Sequence, residues 1–277
     1  MLLPKKVAER IVAAMKQMRP IIELQKQRDV SEADTVTLVK DLLSDVFGYD
    51  KYAELTSEFA IRGTYCDLAV KIENKLVLLI EVKAIGIELD DRHVKQAVDY
   101  AANQGVEWVV LTNAQSWRLY HIIFAQPIDK KLISQIDLLS MDVKSEEAQD
   151  SLAPYTKEGF RKGMHLALKD KQDATSRFLL SALLLHNDSL IAALRRELRR
   201  VVDVNVEESD IIAVLKNEVI KRDAMEGPEA ESAAKLVNRK ESAVIRKSRL
   251  KEEDEPQPTP AAVITEAAQI EPPKDGL

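Results

Sequence analysis

The stretch "YCDLAVKIENKLVLLIEVKAIG", which runs from Tyr65 to Gly86, carries charges inside its apolar runs. Most of it reads as two adjacent buried strands, yet it carries Asp67, Glu81 and Lys83. Charged side chains are almost never fully buried unless they are paired or bind something. Two close carboxylates repel, and one takes up a proton unless a cation sits between them. Mg²⁺ suits such a pair, because it wants hard oxygen ligands and keeps several waters. A bound Mg²⁺ neutralises charge building on a phosphate and acidifies water. A lysine beside that water orients it or stabilises transition-state charge. Two readings of these residues stand side by side: a site for metal-dependent hydrolysis of a phosphodiester, or a strand end where Glu81 and Lys83 reach solvent and Asp67 pairs with a nearby Arg or Lys.

Whether the acids meet depends on the hairpin. Side chains alternate along a strand, so Glu81 and Lys83 share a face. A two-residue turn at Glu73–Asn74 pairs Ile72 with Lys75 and sends Asp67 to the face opposite Glu81. A three-residue loop pairs Ile72 with Leu76 and puts Asp67 directly across from Glu81, with Tyr65 across from Lys83. Their Cβ atoms then stand about 5 Å apart. Asn74 suits the left-handed position such a loop needs. A metal site requires an odd loop, or a bulge that makes up the difference.

Other polar residues stand within reach in sequence. "QAVDY" sets Gln96 and Tyr100 four apart, on one face of a helix. Val94, Ala97, Val98 and Ala101 form its buried face, with Gln96, Tyr100 and His93 at the rim. Glu32 opens an earlier helix, where an acid favours the helix dipole and also offers another carboxylate. Glu58, on the strand before Asp67, is a weaker candidate of the same sort.

The elements that must position these residues follow from periodicity. A helix is expected from Pro4 to about Gln27, with Pro20 a break or restart. A second begins after Ser31 as N-cap, carries Val36, Val39, Leu43 and Val46 as its apolar stripe, and stops near Gly48. Leu55–Ile61, Thr64–Ile72 and Leu76–Lys83 read as strands. "LDDRHVKQAVDYAANQG" reads as a helix capped by Asp90 or Asp91 and closed by Gly105. "VEWVVLTN" and "SWRLYHIIF" add two strands, and "IDLLS" is a candidate last one. The resulting α–βββ–α–ββ order is a mixed α/β layer. Beyond it the pattern is helical, over 146–153, 159–169, 173–185, 189–202 and 208–222, with "HNDS" a break and cap. Arg195, Arg196, Arg199 and Arg200 share one of these helices, either tracking phosphates or pairing with acids such as Glu197. From about Lys251 the proline- and acid-rich tail is expected to be disordered.

Composition narrows the classes. The chain has 277 residues, 45% hydrophobic and 31% charged, enough for a substantial core. Its net charge of −6 argues against a highly basic nucleic-acid coater, though not against a nuclease with a bound cation. Cys66 is the single cysteine, so neither an intrachain disulfide nor a cysteine-rich zinc module is available, and the four histidines lack metal-ligand spacing. No apolar run is long enough to cross a bilayer, and a cytoplasmic setting is expected.

Asp67, the Glu81-Val82-Lys83 triplet and Gln96-x-x-x-Tyr100 together resemble the PD-(D/E)xK nuclease core with the QxxxY motif of its RecB-like branch. The stretch over residues 30–125 resembles the N-terminal endonuclease domain of the restriction (R) subunit of type I restriction enzymes. The resemblance implies a restriction-endonuclease-like α/β core with a helical C-terminal extension. It implies Mg²⁺ or Mn²⁺ held by Asp67, Glu81 and the Val82 carbonyl, with Glu32 matching the acid of the first core helix. Lys83 is implied to assist the attacking water, and Gln96 and Tyr100 to position DNA or that water. Two departures stand out: Cys66 replaces the motif's proline, and no GxxxxGK[ST] loop is present.

The expected layout is an N-terminal helical segment over 1–28, the nuclease-like domain over 29–140, a helical region over 141–250 and the tail over 251–277. The expected activity is Mg²⁺-dependent DNA endonuclease chemistry without a motor. The alternative is a non-catalytic nucleic-acid-binding or scaffold protein that keeps the fold. The C-terminal helices are candidates for a protein partner or a homodimer contact, and no membrane partner is expected.

Overall fold

The computed structural model describes residues 3–61 and 64–253. The expected tail beyond 253, and the side chain of Glu58, lie outside the described residues. Two compact units form, Met1–Thr175 and the chain from Ser176 onward.

The first unit is built on a six-stranded sheet in sequential order: β1 (Leu55–Ile61), β2 (Thr64–Ile72), β3 (Lys75–Val82), β4 (Trp108–Thr112), β5 (Ser116–Ile123) and β6 (Asp129–Asp137). All neighbours are antiparallel except β3 and β4, which are parallel and joined through α3 (Lys95–Gln104). A parallel pair needs such a crossover, whereas the other strands connect by turns. Both faces are covered. Leu68, Val70, Ile80, Val82 and Val110 bury on one face against α1 (Lys5–Gln27) and α2 (Glu32–Asp45). Ala69, Leu79, Val109, Leu111 and Tyr120 bury on the other with α3. The result is an α/β restriction-endonuclease-like fold with a helical C-terminal part.

Several elements differ from their sequence expectation. Helix α1 runs unbroken through Pro20. Proline inside a helix costs about 3 kcal/mol. Val7, Ile11, Met15, Met18 and Ile22 are all buried along one stripe, and each contributes about 1.5–3 kcal/mol, so continuing the helix wins. Arg19 also ties it to the Leu138 and Met141 carbonyls. The buried stripe of α2 is Thr35, Leu38, Val39, Leu42 and Leu43, one turn-face away from Val36. Helix α3 begins at Lys95 rather than at Asp90 or Asp91, because the Asp90 carboxylate accepts from the Arg92 and His93 amides and holds a separate turn there. Gly105 ends α3 in the left-handed region (φ 65°). "IDLLS" is mostly turn: Asp137 accepts from the Leu139 and Ser140 amides and closes β6.

Three further helices pack within this unit: α4 (Glu146–Leu152), α5 (Lys157–Arg161) and α6 (Met164–Ala174). Leu152, Tyr155, Phe160 and Met164 join the core that α1 and α2 share with the sheet. The single helix expected over 159–169 is two, split at Gly163 (φ 70°). His165 stacks on Phe160 at 3.8 Å and meets the Trp108 ring edge-on at 4.7 Å. Burial, aided by nearby His121, depresses the His165 imidazole to about 4. A histidine depressed on folding contributes stability that is present above its unfolded value of 6.5 and lost as pH falls toward 4. The loss is about 3 kcal/mol. His165→Phe keeps the ring stack, so urea titrations from pH 7 to 4 are expected to show a flatter acid limb than wild type. Equal slopes for the two proteins exclude His165 as a source of acid lability.

The second unit is helical: α7 (Arg177–His186), α8 (Asp188–Val202), α9 (Glu208–Val214) and α10 (Pro228–Glu253), with a π turn and a 3-10 turn between the last two. The helix expected over 173–185 is broken, with α6 ending at Ala174 and Ser176 capping α7. Asn187 caps α8 as the sequence suggests. Ala182, Ala233 and Val237 bury where α10 meets α7. On α8, Arg195 pairs with Glu208 and Arg200 with Glu197. Among the described residues no single helix is long and apolar enough to cross a membrane.

Candidate active site

The hairpin brings the two acids together by an unexpected route. Its turn is the short one: Ile72 pairs with Lys75, and Glu73 and Asn74 both take positive φ, 53° and 63°. This is the backbone of a two-residue hairpin turn. Taken alone it would send Asp67 to the wrong face. The register then shifts. Lys71 pairs with Leu76 but Val70 pairs with Leu78, which leaves Val77 as an extra residue on β3. One bulged residue slips the register by one and exchanges the faces. Beyond it Ala69 pairs with Leu79 and Leu68 with Ile80, and continuing this register by one residue puts Asp67 opposite Glu81. The sequence alternative of a bulge in place of an odd loop is the one realised.

At this point the Asp67 side chain replaces a ladder bond. Its Oδ2 accepts from the Val82 amide at 2.7 Å. Burial raises the Asp67 carboxyl above its ordinary value, against the Val82 hydrogen bond and the Lys83 charge. Glu81 is 3% exposed and shares the α3 side of β3 with Leu79. Its Oε1 accepts from Lys83 Nζ at 2.8 Å, whereas its Oε2 is buried without a hydrogen-bond partner. Burial pushes Glu81 up to about 7; Asp67 and Glu32 add to this and Lys83 opposes it.

Lys83 continues β3, its amide donating to the Thr112 carbonyl. Its ammonium also lies 3.5 Å from Glu32 Oε2, at the start of α2. Burial alone would lower the lysine, but the Glu81 hydrogen bond and the charges of Glu81, Glu32 and Asp67 outweigh it, so the net shift is upward. Lys83 is therefore an ammonium at neutral pH, a donor and not a base. Beside the site, Cys66 is fully buried with its Sγ against the Leu68 and Ile80 carbonyls, and burial pushes the thiol up to about 12. It is a packing residue at neutral pH.

Asp67, Glu81, Lys83 and Glu32 are thus gathered at the C-terminal end of β3. Gln96 and Tyr100 are joined to each other, Nε2 to OH at 2.5 Å. Gln96 is exposed, but Tyr100 is buried in the α3 core rather than at the rim, because its ring packs with Ala97, Ala101 and the sheet. Among the described residues no hydrogen bond or ion pair joins this pair to the acids or to Lys83. His93 accepts from the Asp90 amide and belongs to the turn before α3.

Two residues at the site escape the sequence reading. Thr35 is fully buried, and its hydroxyl accepts from the Ile85 amide at 3.1 Å. Asn113, also buried, donates to the Ile85 and Ile87 carbonyls. Thr35 carries one faint signal, a polar residue at the helical spacing of the buried positions Leu38, Leu42 and Val46.

The donor set can be tested for a cation. Among the described residues no three His, Cys, Asp or Glu side chains cluster as a metal-binding group. Asp67 and Glu81 do fit one hard divalent ion that takes few protein ligands and completes its shell with water. The partnerless Glu81 Oε2 is the atom such an ion would satisfy. Glu32 serves Lys83 in this arrangement.

No curated protein sequence and no solved structure matches the chain. Residues 16–136 match the family described as type I restriction enzyme R protein N terminus (HSDR_N). That span takes in most of α1, all of α2 and α3, and the sheet through most of β6, with every residue gathered at the end of β3. Over residues 16–136 the chain is thus similar to the N-terminal domain of type I restriction enzyme R proteins.

Proposed function

We propose that the protein is a Mg²⁺- or Mn²⁺-dependent nuclease that hydrolyses phosphodiester bonds in DNA, with endonuclease chemistry and a cytoplasmic setting. The observation that carries this reading is the bulge at Val77, which sets Asp67 across from Glu81 while Glu81 Oε2 is left buried without a partner. Val77 itself packs against the core, and the shift it introduces brings the two acids toward one face. Asp67 and Glu81 would hold the cation, with the Val82 carbonyl beside them. When bound, the cation supplies positive charge against the scissile phosphate and makes water more acidic.

The remaining work falls to this chain's own groups. Lys83 is held as an ammonium by Glu81 and Glu32, and donates to negative charge as it grows on the phosphoryl oxygens. The Val82 amide fixes the Asp67 carboxylate, so no reorientation is needed during the reaction. Gln96, exposed on α3 and hydrogen-bonded to Tyr100, would contact the nucleic-acid backbone in this reading.

The second reading is a domain that keeps the fold for nucleic-acid binding or scaffolding. One observation favours it: Lys83 already neutralises Glu81 and Glu32 without any metal. Incubation of single- and double-stranded DNA and RNA with Mg²⁺, Mn²⁺ or chelator, with Glu81→Ala alongside, separates the two. Cleavage of DNA that needs the divalent ion and disappears in Glu81→Ala is the expected result. Binding of DNA with no cleavage and no metal titration establishes the scaffold reading instead.

A further inference from the structure

We propose that Thr35 is a positioning residue of the active site, acting through the Glu32–Lys83 ion pair. This rests on the nuclease reading above and extends it to a residue outside the catalytic motif. The Thr35 hydroxyl uses both of its hydrogen-bonding capacities. It donates to the Ser31 carbonyl at 2.8 Å, inside the first turn of α2, and accepts from the Ile85 amide at 3.1 Å, two residues past Lys83. One buried oxygen thereby clamps the turn that carries Glu32 to the segment that carries Lys83, although the two are fifty residues apart in sequence.

The clamp has a second jaw. Asn113 donates to the carbonyls of Ile85 and Ile87, and its own carbonyl accepts from the Ser116 amide. The Ile85 peptide is held at its N–H from α2 and at its C=O from the β4–β5 turn. Ile85 itself is buried in the core. Glu32, by contrast, is half-exposed, and Ser31 and Asp34 beside it are exposed. Val30 and Val36 pack against the core on either side of that turn, and the Thr35 hydroxyl is the polar link that ties it to the Ile85 segment. The 3.5 Å approach of Glu32 Oε2 to Lys83 Nζ follows from that link. Lys83 must stay near Glu81 yet leave Glu81 free to meet a cation, and a second acid drawing on the ammonium from α2 provides that balance.

Thr35→Val keeps the shape and removes the acceptor. Its expected effect is a fall of about tenfold in kcat, with KM and Mn²⁺ affinity unchanged, because the substrate contacts and the two metal carboxylates stay in place. Thr35→Ser restores the rate. In a Glu32→Gln background, Thr35→Val has nothing left to misplace and adds less than about twofold. Independent, multiplying effects of the two substitutions overturn the proposal. A crystal structure of Thr35→Val supplies a readout that needs no cleavage at all. Lys83 Nζ and Glu32 Oε2 are expected to separate beyond ion-pair reach, and a pair still at its original distance overturns the proposal too. If the unmutated protein cuts nothing, the nuclease reading fails on its own account, and the ion-pair distance still decides the role of Thr35. Should Thr35→Val not fold, Thr35→Cys, with a weakly accepting thiol in similar volume, replaces it in both measurements.

Discussion

Glu81→Gln is expected to make the metal-free protein more stable at pH 8 while abolishing divalent-cation binding. The Glu81 carboxyl rises from 4.5 to about 7 on folding, chiefly through burial. A carboxyl raised in the folded state favours folding when protonated. Its contribution is full below pH 4.5 and is lost as pH climbs from there to about 7, the window in which the native state binds the extra proton. At pH 8 the ionised Glu81 costs about 3 kcal/mol relative to its neutral form. Glutamine resembles that neutral form and still offers an oxygen to Lys83. Urea unfolding in chelator at pH 8 should therefore show a gain of about 3 kcal/mol that vanishes near pH 4. Mn²⁺ titration of the same variant should show no binding, since the buried Oε2 charge is gone. Equal stabilities of variant and wild type at pH 8 exclude the strained carboxylate. Such strain makes sense only where a ligand relieves it, which is why stability and function should move in opposite directions here.

The acids that carry this prediction are visible in the sequence because charge inside "LVLLIEVK" has no cheap explanation. How they meet is not. Strands buried on both faces lose the alternation that would report register. Val77 is one valine among apolar neighbours, and nothing marks it as the residue that bulges. Asn74 announces a left-handed turn, but Glu73 adopts the same region without any residue-type signal. Elsewhere a local signal is overruled by burial on a larger scale. Pro20 breaks helices in isolation, yet Met18 and Ile22 stay buried on either side of it. Helix α10 is passed over for the opposite reason: Ala230, Ala233 and Val237 give it too thin a stripe to stand out among its charges. Thr35 is hidden because its partner, the Ile85 amide, is a backbone group brought near only by the fold. Side-chain chemistry with another side chain leaves a pattern in sequence; side-chain chemistry with a distant peptide does not.

Lys83→Ala is expected to lower cleavage by about 100- to 1,000-fold, the usual cost of losing one donor to transition-state charge. The same substitution should leave Mn²⁺ binding intact or tighten it. Lys83 Nζ occupies Glu81 Oε1 at 2.8 Å, so it competes with a cation for that carboxylate. Removing the ammonium frees the second oxygen and leaves two acids, Glu81 and Glu32, without their shared partner. An arriving divalent ion then relieves more repulsion than it does in wild type. Asp67→Ala behaves differently. It removes one of the two carboxylates that would hold the ion, and it strips the Val82 amide of its acceptor. Mn²⁺ affinity should fall, and raising the metal concentration should recover part of the activity. No concentration of metal should rescue Lys83→Ala. Calorimetric titration with Mn²⁺ alongside single-turnover cleavage reads both quantities. If Lys83→Ala loses cation binding as completely as Asp67→Ala does, the lysine is holding the site together rather than acting on the phosphate. Its place in the mechanism would then have to be given up.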